Sequence, residues 1–345
     1  MPSITHRRPR QTASLALATC LAALIPACSS VTIATSTPTV PDPPVSAPPA
    51  PASTVRLVGY LPDYNQSYAV YAKTLDFTKM THLILAFGLA PLCNGACTAS
   101  SNMTIGLQQT DADIATLVTA AHAAGVKVLI SLGGGVDSSD DTISQFYLAG
   151  LSTQFAAAIN QYVTAHNLDG VDVDIEDAST MGAPYGTFVA ALAAQLHPQG
   201  RLLTAAMYPY LQPAIPDSIL TTVDFVNVET YSTDAQAISD LNFYVTRKSV
   251  PAGKLVLGVP FFGATADQSI IASYAAILAA YPNAWQNDQV SGGPLDNGAT
   301  LYYVGETTMA TETKLGAQYG GVMIWELTQD AAPPHSLLNV IQSNL

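Results

Sequence analysis

The 345-residue sequence has little charge, little tryptophan and few cysteines: 11% of its residues are charged, two are Trp and four are Cys. Positively charged residues are fewer than negatively charged ones: the sequence has 12 Lys and Arg and 25 Asp and Glu, which gives a formal net charge of −13. Such a surface repels polyanions, which excludes nucleic acid as the main partner. The hydrophobic fraction of 49% excludes a chain that is disordered throughout.

A long apolar run is also missing near the N-terminus. The stretch from Ala13 to Ile25, which follows three arginines, is shorter than the roughly 20 residues that a membrane-spanning helix needs. We therefore predict a signal peptide over residues 1–28 and an exported protein. Its end at Cys28 is similar to a bacterial lipoprotein signal, so we expect lipidation of Cys28 and anchoring at the outer or periplasmic face of a membrane, with plain secretion as the alternative.

Residues 29–54 are mainly Ser, Thr, Pro, Ala and Val, which predicts an extended linker. Residues 55–345 follow without a second linker and predict one folded domain. Within it, Cys93 and Cys97 are the remaining cysteines, and in an exported protein they predict a small disulfide loop. A metal site is the weaker interpretation, because two thiols alone do not complete a zinc sphere.

Short β-branched or apolar runs alternate with helical patterns along this domain. The predicted strands are Arg56–Leu61, His82–Phe87, Lys127–Leu132, Gly170–Ile175, Leu202–Met207, Phe225–Glu229, Leu255–Phe261 and Gly321–Trp325. The predicted helices include Ala112–Ala124, Ile143–Ala165, Tyr185–Leu196, Ile270–Ala280 and Thr307–Gln318. This alternation predicts an α/β fold with parallel strands and crossover helices, and the number of units favours a closed (β/α)8 TIM barrel.

The fourth predicted strand alternates acidic and apolar residues. Asp172, Asp174 and Glu176 share one face, and the opposite face is apolar. In a barrel the apolar face packs under the helices, so the carboxylates point inward and rise toward the C-terminal end, where active sites of this fold lie. Burial of carboxylates is costly, which favours catalysis over a solvated face. A metal site is also disfavoured, because one strand supplies ligands from one side only.

The spacing Asp169-x-x-Asp172-x-Asp174-x-Glu176 resembles the signature of family 18 glycoside hydrolases, which comprise chitinases and endo-β-N-acetylglucosaminidases. Segments on the other predicted strands resemble this family in order, namely Val58–Tyr60, Thr81–His82, Ala86–Phe87, Ser131–Gly134, Asp224–Val228, Leu257–Phe261 and Gly320–Glu326. The resemblance implies a glycosidase that cleaves β-1,4 linkages of N-acetylglucosamine polymers, chitin or chitooligosaccharides. It also implies a retaining, substrate-assisted mechanism without a cofactor or metal.

The resemblance also implies a role for each residue of the site. Glu176 would be the general acid and then the general base. Asp174 would accept the N–H of the substrate's acetamido group, and Asp172 would share a proton with Asp174. Tyr231 would hydrogen-bond the acetamido oxygen, and Asp169 would brace the start of the strand.

Substrate contacts are expected from further strand ends. Trp325 would form the floor under a sugar ring, with ordinary core packing as the alternative, and Tyr60 and Met207 would line the same pocket. The chain departs from many family members on the sixth strand, where it reads Glu229-Thr230-Tyr231-Ser232. Glu229 would bring a further carboxylate into the mouth of the barrel and shift protonation there.

Two alternatives remain open at this level. One is an endo-β-N-acetylglucosaminidase that acts on the chitobiose core of N-linked glycans. The other is a non-catalytic chitin- or glycan-binding lectin on the same fold, against which the retained Glu176 argues. The connection between strands seven and eight is short for a full α+β insertion, so we expect a single catalytic domain with an open cleft.

Overall fold

A computed structural model describes residues 55–135, 142–211, 213–231 and 234–345. The predicted signal peptide, the linker and Cys28 lie outside these residues, as does Ser232. Among the described helices, none has both the length and the apolar character that a membrane crossing requires.

Eight parallel strands form a closed barrel. They are β1 (Arg56–Pro62), β2 (His82–Gly88), β3 (Lys127–Gly133), β4 (Gly170–Asp174), β5 (Leu202–Met207), β6 (Phe225–Val228), β7 (Leu255–Pro260) and β12 (Gly321–Trp325). Each strand pairs with the next barrel strand along the chain, and β12 closes the ring against β1. The predicted (β/α)8 barrel is confirmed, and every predicted strand bound lies within one residue of the observed one.

The helices of the described chain are α1 (Tyr68–Thr74), α2 (Asp111–Ala123), α3 (Ser144–Leu148), α4 (Ser152–Ala165), α5 (Ala183–Leu196), α6 (Asp217–Thr222), α7 (Asp234–Arg247), α8 (Tyr274–Ala280), α9 (Glu306–Gly316) and α10 (Leu337–Asn344). The single helix predicted over Ile143–Ala165 is two helices. Gly150 separates them with a φ of 76°, a left-handed conformation that a helix cannot continue through.

The connection from β7 to β12 carries a small antiparallel sheet that the sequence did not predict. Its strands are β8 (Phe262–Thr265), β9 (Ile271–Ser273), β10 (Gln289–Ser291) and β11 (Thr300–Tyr302), in the order β10-β11-β8-β9. Strands of three or four residues are too short to show an alternating pattern. The insertion is therefore small, as expected, but it is not made of helices alone.

Alternation along the barrel strands divides the buried side chains into two layers. The outer layer fills the space between barrel and helices and includes Val171 and Val173 of β4. The inner cluster fills the barrel itself, with Val58, Tyr60, Ile84, Ala86, Leu129, Ala206, Phe225, Val256 and Met323. Polar side chains also point inward, namely Ser131, Thr204 and Asn227, and they surround Asp172 of β4.

Beyond β2, Cys93 and Cys97 are joined by a disulfide with a Cα–Cα distance of 5.4 Å. Gln145 of α3 holds this loop, because its Oε1 accepts a hydrogen bond from the Cys93 N–H at 2.8 Å and lies 3.4 Å from Sγ of Cys97. The bridge therefore braces a loop and takes no part in the barrel interior.

Candidate active site

The acidic row of β4 lies inside the barrel and rises toward its open end. Asp172 is fully buried, Asp174 is 4% exposed and Glu176, two residues further along, is half-buried. This gradient follows from strand alternation together with the closure of the barrel below. The three carboxyl groups thus occupy a deep, an intermediate and an upper position.

Asp172 is surrounded by hydrogen-bond donors. The hydroxyls of Tyr60 and Ser131 donate to Oδ2, both at 2.8 Å, and the Thr204 hydroxyl donates to Oδ1 at 2.5 Å. The Asn227 amide donates to Oδ1 at 3.4 Å. Burial raises the pKa of Asp172, and these four bonds oppose that rise. The protein therefore supplies this carboxyl with a full set of partners.

Asp174 has a different environment. Its Oδ1 is buried and has no hydrogen-bond partner within the described part of the chain. Burial raises its pKa well above the usual range, and the charges of Glu229, Glu176 and Asp172 raise it further. Such a carboxyl retains a proton or passes it to a neighbour.

Glycines at the end of β3 and just beyond it allow the acidic row to pack closely. Gly133 has a φ of 107°, and a Cβ at this position would overlap the carbonyl oxygen of Asp174. A Cβ at Gly135 would lie 3.2 Å from Oε1 of Glu176. The glycines thus place bare backbone against two of the three acids.

Glu176 has the protonation behaviour that acid catalysis needs. Burial raises its pKa to about 7. A carboxyl with that value is protonated in a large share of molecules near neutral pH and can also work as a base after it gives up its proton. Its position at the open end of the row leaves it within reach of a ligand.

Glu229 is the fourth carboxyl of the site. It follows β6 directly, is 7% exposed, and its Oε1 has no partner among the described residues. Burial raises its pKa well above the usual range, and the charges of Glu176 and Asp172 add to the rise. Alternation correctly placed Glu229 beside the acidic row, but its burial leaves little surface for the substrate contact that we expected.

Two aromatic side chains border the acids from above. Tyr231 is half-buried, with its hydroxyl 4.0 Å from Sδ of Met323 and its ring 5.8 Å from that of Phe262. Trp325 is half-buried at the end of β12, where it stacks on Phe87 at 5.5 Å. Both remain partly accessible, as sugar contacts must be, and their roles stay predictions.

Two of the predicted pocket residues, Met207 and Tyr60, are too buried to contact a sugar. Met207 is fully buried in the outer layer, because Thr204 and Ala206 take the inward positions on β5. The prediction that Met207 lines the pocket is therefore wrong. Tyr60 is 1% exposed, lies edge-on to Trp325 at 5.6 Å and donates to Asp172, so it supports the acid and offers no surface to a sugar.

Thr204 was missed by the sequence analysis, although it is the polar residue in the otherwise apolar strand Leu202–Met207. The prediction that Asp169 braces the strand is confirmed, since it accepts hydrogen bonds from Lys127 Nζ at 2.7 Å and from the Val128 N–H at 2.9 Å. Across the described residues, no group of three or more His, Cys, Asp or Glu side chains is arranged to hold a metal ion.

Comparisons with known proteins agree with this geometry. The solved GH18 chitinase ChiB of Flavobacterium johnsoniae matches with a TM-score of 0.71 and 28% identity over 85% of this chain and 94% of that chain. An acidic endochitinase of Cicer arietinum is 28% identical over 239 residues, 64% of this chain and 68% of that protein. A chitinase-like effector of Moniliophthora perniciosa is 32% identical over 111 residues, which span 32% of this chain and only 24% of the effector. The family model for glycosyl hydrolases family 18 matches residues 56–330. The chain therefore belongs to family 18 of the glycosyl hydrolases.

Proposed function

We propose that this protein is an exported glycosidase that cleaves β-1,4 linkages in N-acetylglucosamine polymers, chitin or chitooligosaccharides, with retention of configuration. The observation that carries the proposal is the half-buried Glu176, with a pKa of about 7, directly above Asp174 at the open end of the barrel. A barrel without this proton donor would bind sugars but lack the group that protonates a leaving oxygen.

In the first step Glu176 donates its proton to the glycosidic oxygen as the bond to the anomeric carbon breaks. The nucleophile is the carbonyl oxygen of the substrate's own 2-acetamido group, which attacks the anomeric carbon and forms a cyclic oxazolinium ion. The partly desolvated position of Glu176 keeps its proton available near neutral pH, and the loss of that proton leaves a carboxylate.

Asp174 stabilises the intermediate in this scheme. Its ionised carboxylate accepts the acetamido N–H, turns the acetamido oxygen toward the anomeric carbon and offsets the positive charge of the oxazolinium ion. The buried Oδ1 without a partner marks an acceptor that the described protein leaves open. In the second step the Glu176 carboxylate takes a proton from water, and the water oxygen attacks the anomeric carbon from the face that the leaving group left. The bond between that carbon and the acetamido oxygen breaks, which restores the acetamido group and the protonated Glu176.

Aromatic residues at the mouth would hold the sugar. Trp325, backed by Phe87, offers a flat face for a pyranose ring, and the Tyr231 hydroxyl is the donor for the acetamido oxygen. Phe262, on the first strand of the inserted sheet, contacts Tyr231 and extends this aromatic border beyond the barrel. The cleft is therefore bordered on this side by the small insertion.

Localisation belongs to the same proposal. The predicted signal over residues 1–28 exports the protein, lipidation of Cys28 would hold it at a membrane surface, and residues 29–54 would let the barrel reach a polymer that does not diffuse. A net charge of −13 suits a neutral polysaccharide or glycan better than a polyanion.

The test is product analysis with two substrates side by side. The purified protein is incubated with chitooligosaccharides and with an N-glycosylated protein, and the anomeric form of each released sugar is followed from the first turnovers. The proposal predicts β-anomers from chitooligosaccharides. Release of sugar from the glycoprotein alone would identify the protein as an endo-β-N-acetylglucosaminidase. Sugar binding without any product would indicate a lectin.

A further inference from the structure

Asp172 has no need of a shared proton. A carboxylate offers about four lone-pair sites, and the donors from Tyr60, Ser131, Thr204 and Asn227 fill that number. Hydroxyl and amide donors of this kind favour the ionised carboxylate. The proton partner of Asp174 must therefore be sought on another strand.

A second carboxyl matches Asp174 in its lack of partners. Oδ1 of Asp174 and Oε1 of Glu229 are both buried, and neither has a hydrogen-bond partner within the described residues. Both side chains are more than nine-tenths buried. Two bare carboxylates at such depth would each carry the full cost of desolvation, which one shared proton would reduce.

The strand register places these two carboxyls opposite each other. Alternate strands of a barrel contribute side chains to the same interior layer, and β4 and β6 are alternate strands. Asn227 of β6 contacts Asp172 of β4 at 3.4 Å, so these two residues share a layer. Glu229 and Asp174 lie two residues further along their strands, about 6.6 Å higher on each. The Glu229 N–H still donates to the Met207 carbonyl, so the strand direction continues to this point.

We infer that Asp174 shares its proton with Glu229 across the barrel rather than with Asp172 below it. After burial, the charge of Glu229 contributes more to the raised pKa of Asp174 than the charges of Glu176 and Asp172 do, whereas Glu176 makes the largest charge contribution to the raised pKa of Glu229. The pair is thus a dyad that carries one negative charge in its working state.

Acidic and phenolic groups face Glu229 from each neighbouring element. They are Asp172 and Asp174 of β4, Glu176 just beyond β4, Tyr208 beyond β5, Tyr231 beyond β6, and Tyr244 and Asp240 of α7. Among the described residues, no Lys or Arg contributes to the shifted pKa values of Asp174, Glu176 and Glu229. A cluster without a cation reduces its charge by retaining protons.

The dyad has a defined task in the reaction, and this consequence rests on the proposed function. When the substrate's acetamido N–H binds to Asp174, the shared proton resides on Glu229 and the single negative charge resides on Asp174. No proton enters or leaves the pair in this redistribution. Asp174 is then ionised beside the oxazolinium ion, while Glu229 stays neutral and does not compete for it.

The test is a carboxyl titration by NMR on the substrate-free protein, with the carboxyl carbons of Asp and Glu labelled with carbon-13. In the unchanged chain the signals of Asp174 and Glu229 should both move in two common steps, separated by more than about one pH unit. In Glu229→Gln, which keeps the shape but cannot ionise, Asp174 should titrate in a single step. Glu229→Met serves as a second variant of similar length, and Glu306→Gln, on α9, is the control that leaves both steps in place.

Asp172→Asn separates the two assignments. If Glu229 is the partner, the two steps of Asp174 remain in Asp172→Asn and disappear in Glu229→Gln. The opposite pattern, or Asp174 and Glu229 signals that move at unrelated pH values in the unchanged chain, would overturn the inference. The titration needs no substrate, so it also tests the dyad in a protein that proves to have no hydrolytic activity. If the protein is active but Asp174 and Glu229 do not titrate in common steps, the dyad is refuted and the proposed function stands.

Discussion

At the scale of single residues, the surroundings of each carboxyl group determine its hydrogen bonds and its pKa, although the sequence alone gives no reason to distinguish these acids. Asp172 is saturated by donors at 2.5 to 3.4 Å, whereas Glu176 has burial as the cause of its raised pKa. The same side-chain type therefore serves as a fully hydrogen-bonded acceptor at the bottom of the row and, in the proposed mechanism, as a proton donor at the top. The donors that surround Asp172 come from other strands, namely β1, β3, β5 and β6, and so cannot be read from the sequence of β4.

Asp172→Ala should lower the free energy of unfolding by about 1–3 kcal/mol, because it leaves the buried hydroxyls of Ser131 and Thr204 without their acceptor. Urea denaturation at neutral pH measures the change. Asp217→Ala, which removes a surface ion pair with Lys248, is the matched control and should cost no more than about 0.5 kcal/mol. Equal losses for both variants would contradict the buried network.

At the scale of elements, the barrel strands were predictable because each places a continuous apolar stretch between two layers of side chains. The row Asp172, Asp174 and Glu176 was predictable for a related reason, since its alternation has a fixed period. The inserted sheet and the break at Gly150 were not predictable, because three-residue strands and one backbone angle leave no periodic signal. The sequence analysis assigned Met207 to the inner face of its strand, and this was wrong. Met207 is the last residue of β5, so no later residue of the strand shows which face points into the barrel.

Gly133→Ala tests the contact between β3 and β4. A methyl group there overlaps the carbonyl oxygen of Asp174 and sits on a backbone with a φ of 107°, so we expect a loss of about 2 kcal/mol or more in stability together with a large loss of activity. Gly125→Ala is the control, since its φ of 79° gives similar strain but its Cβ meets no atom within 4 Å. It should cost about 1 kcal/mol and retain activity. Thermal melting and turnover of a chitooligosaccharide measure both; equal effects would show that close packing at Gly133 is unimportant.

At the scale of the whole molecule, buried acids make stability depend on pH. Burial raises the pKa of Asp63 to about 6 and that of Glu176 to about 7, from ordinary values of 3.8 and 4.5. At these two sites the folded protein binds more protons than the unfolded chain, so their contribution to stability falls as pH rises. Burial lowers the pKa of His82 from 6.5 to about 4, which offsets one of these two acids between those values and leaves the other to set the direction. The contribution of these two groups is fully present below 3.8, the lower of their ordinary pKa values, and is lost as pH rises to about 7.

We therefore expect the melting temperature to fall between pH 4.5 and 7, as measured by calorimetry at constant ionic strength. Asp63→Asn should flatten the part of this slope below about pH 6, because its amide does not titrate. Asp111→Asn, on the surface of α2, is the control that keeps the slope. A melting temperature that rises over the same interval would contradict the proton retention on which the account of the site depends.

Turnover of a chitooligosaccharide by Glu176→Gln, measured together with binding of the same sugar, tests whether Glu176 is the general acid. The amide keeps the shape of the side chain and cannot donate a proton to the leaving oxygen. We predict a fall in kcat of about 10²–10⁴-fold or more with binding retained, and no comparable fall in the Glu306→Gln control. Near-normal turnover by Glu176→Gln would contradict the assignment of the general acid and with it the proposed mechanism.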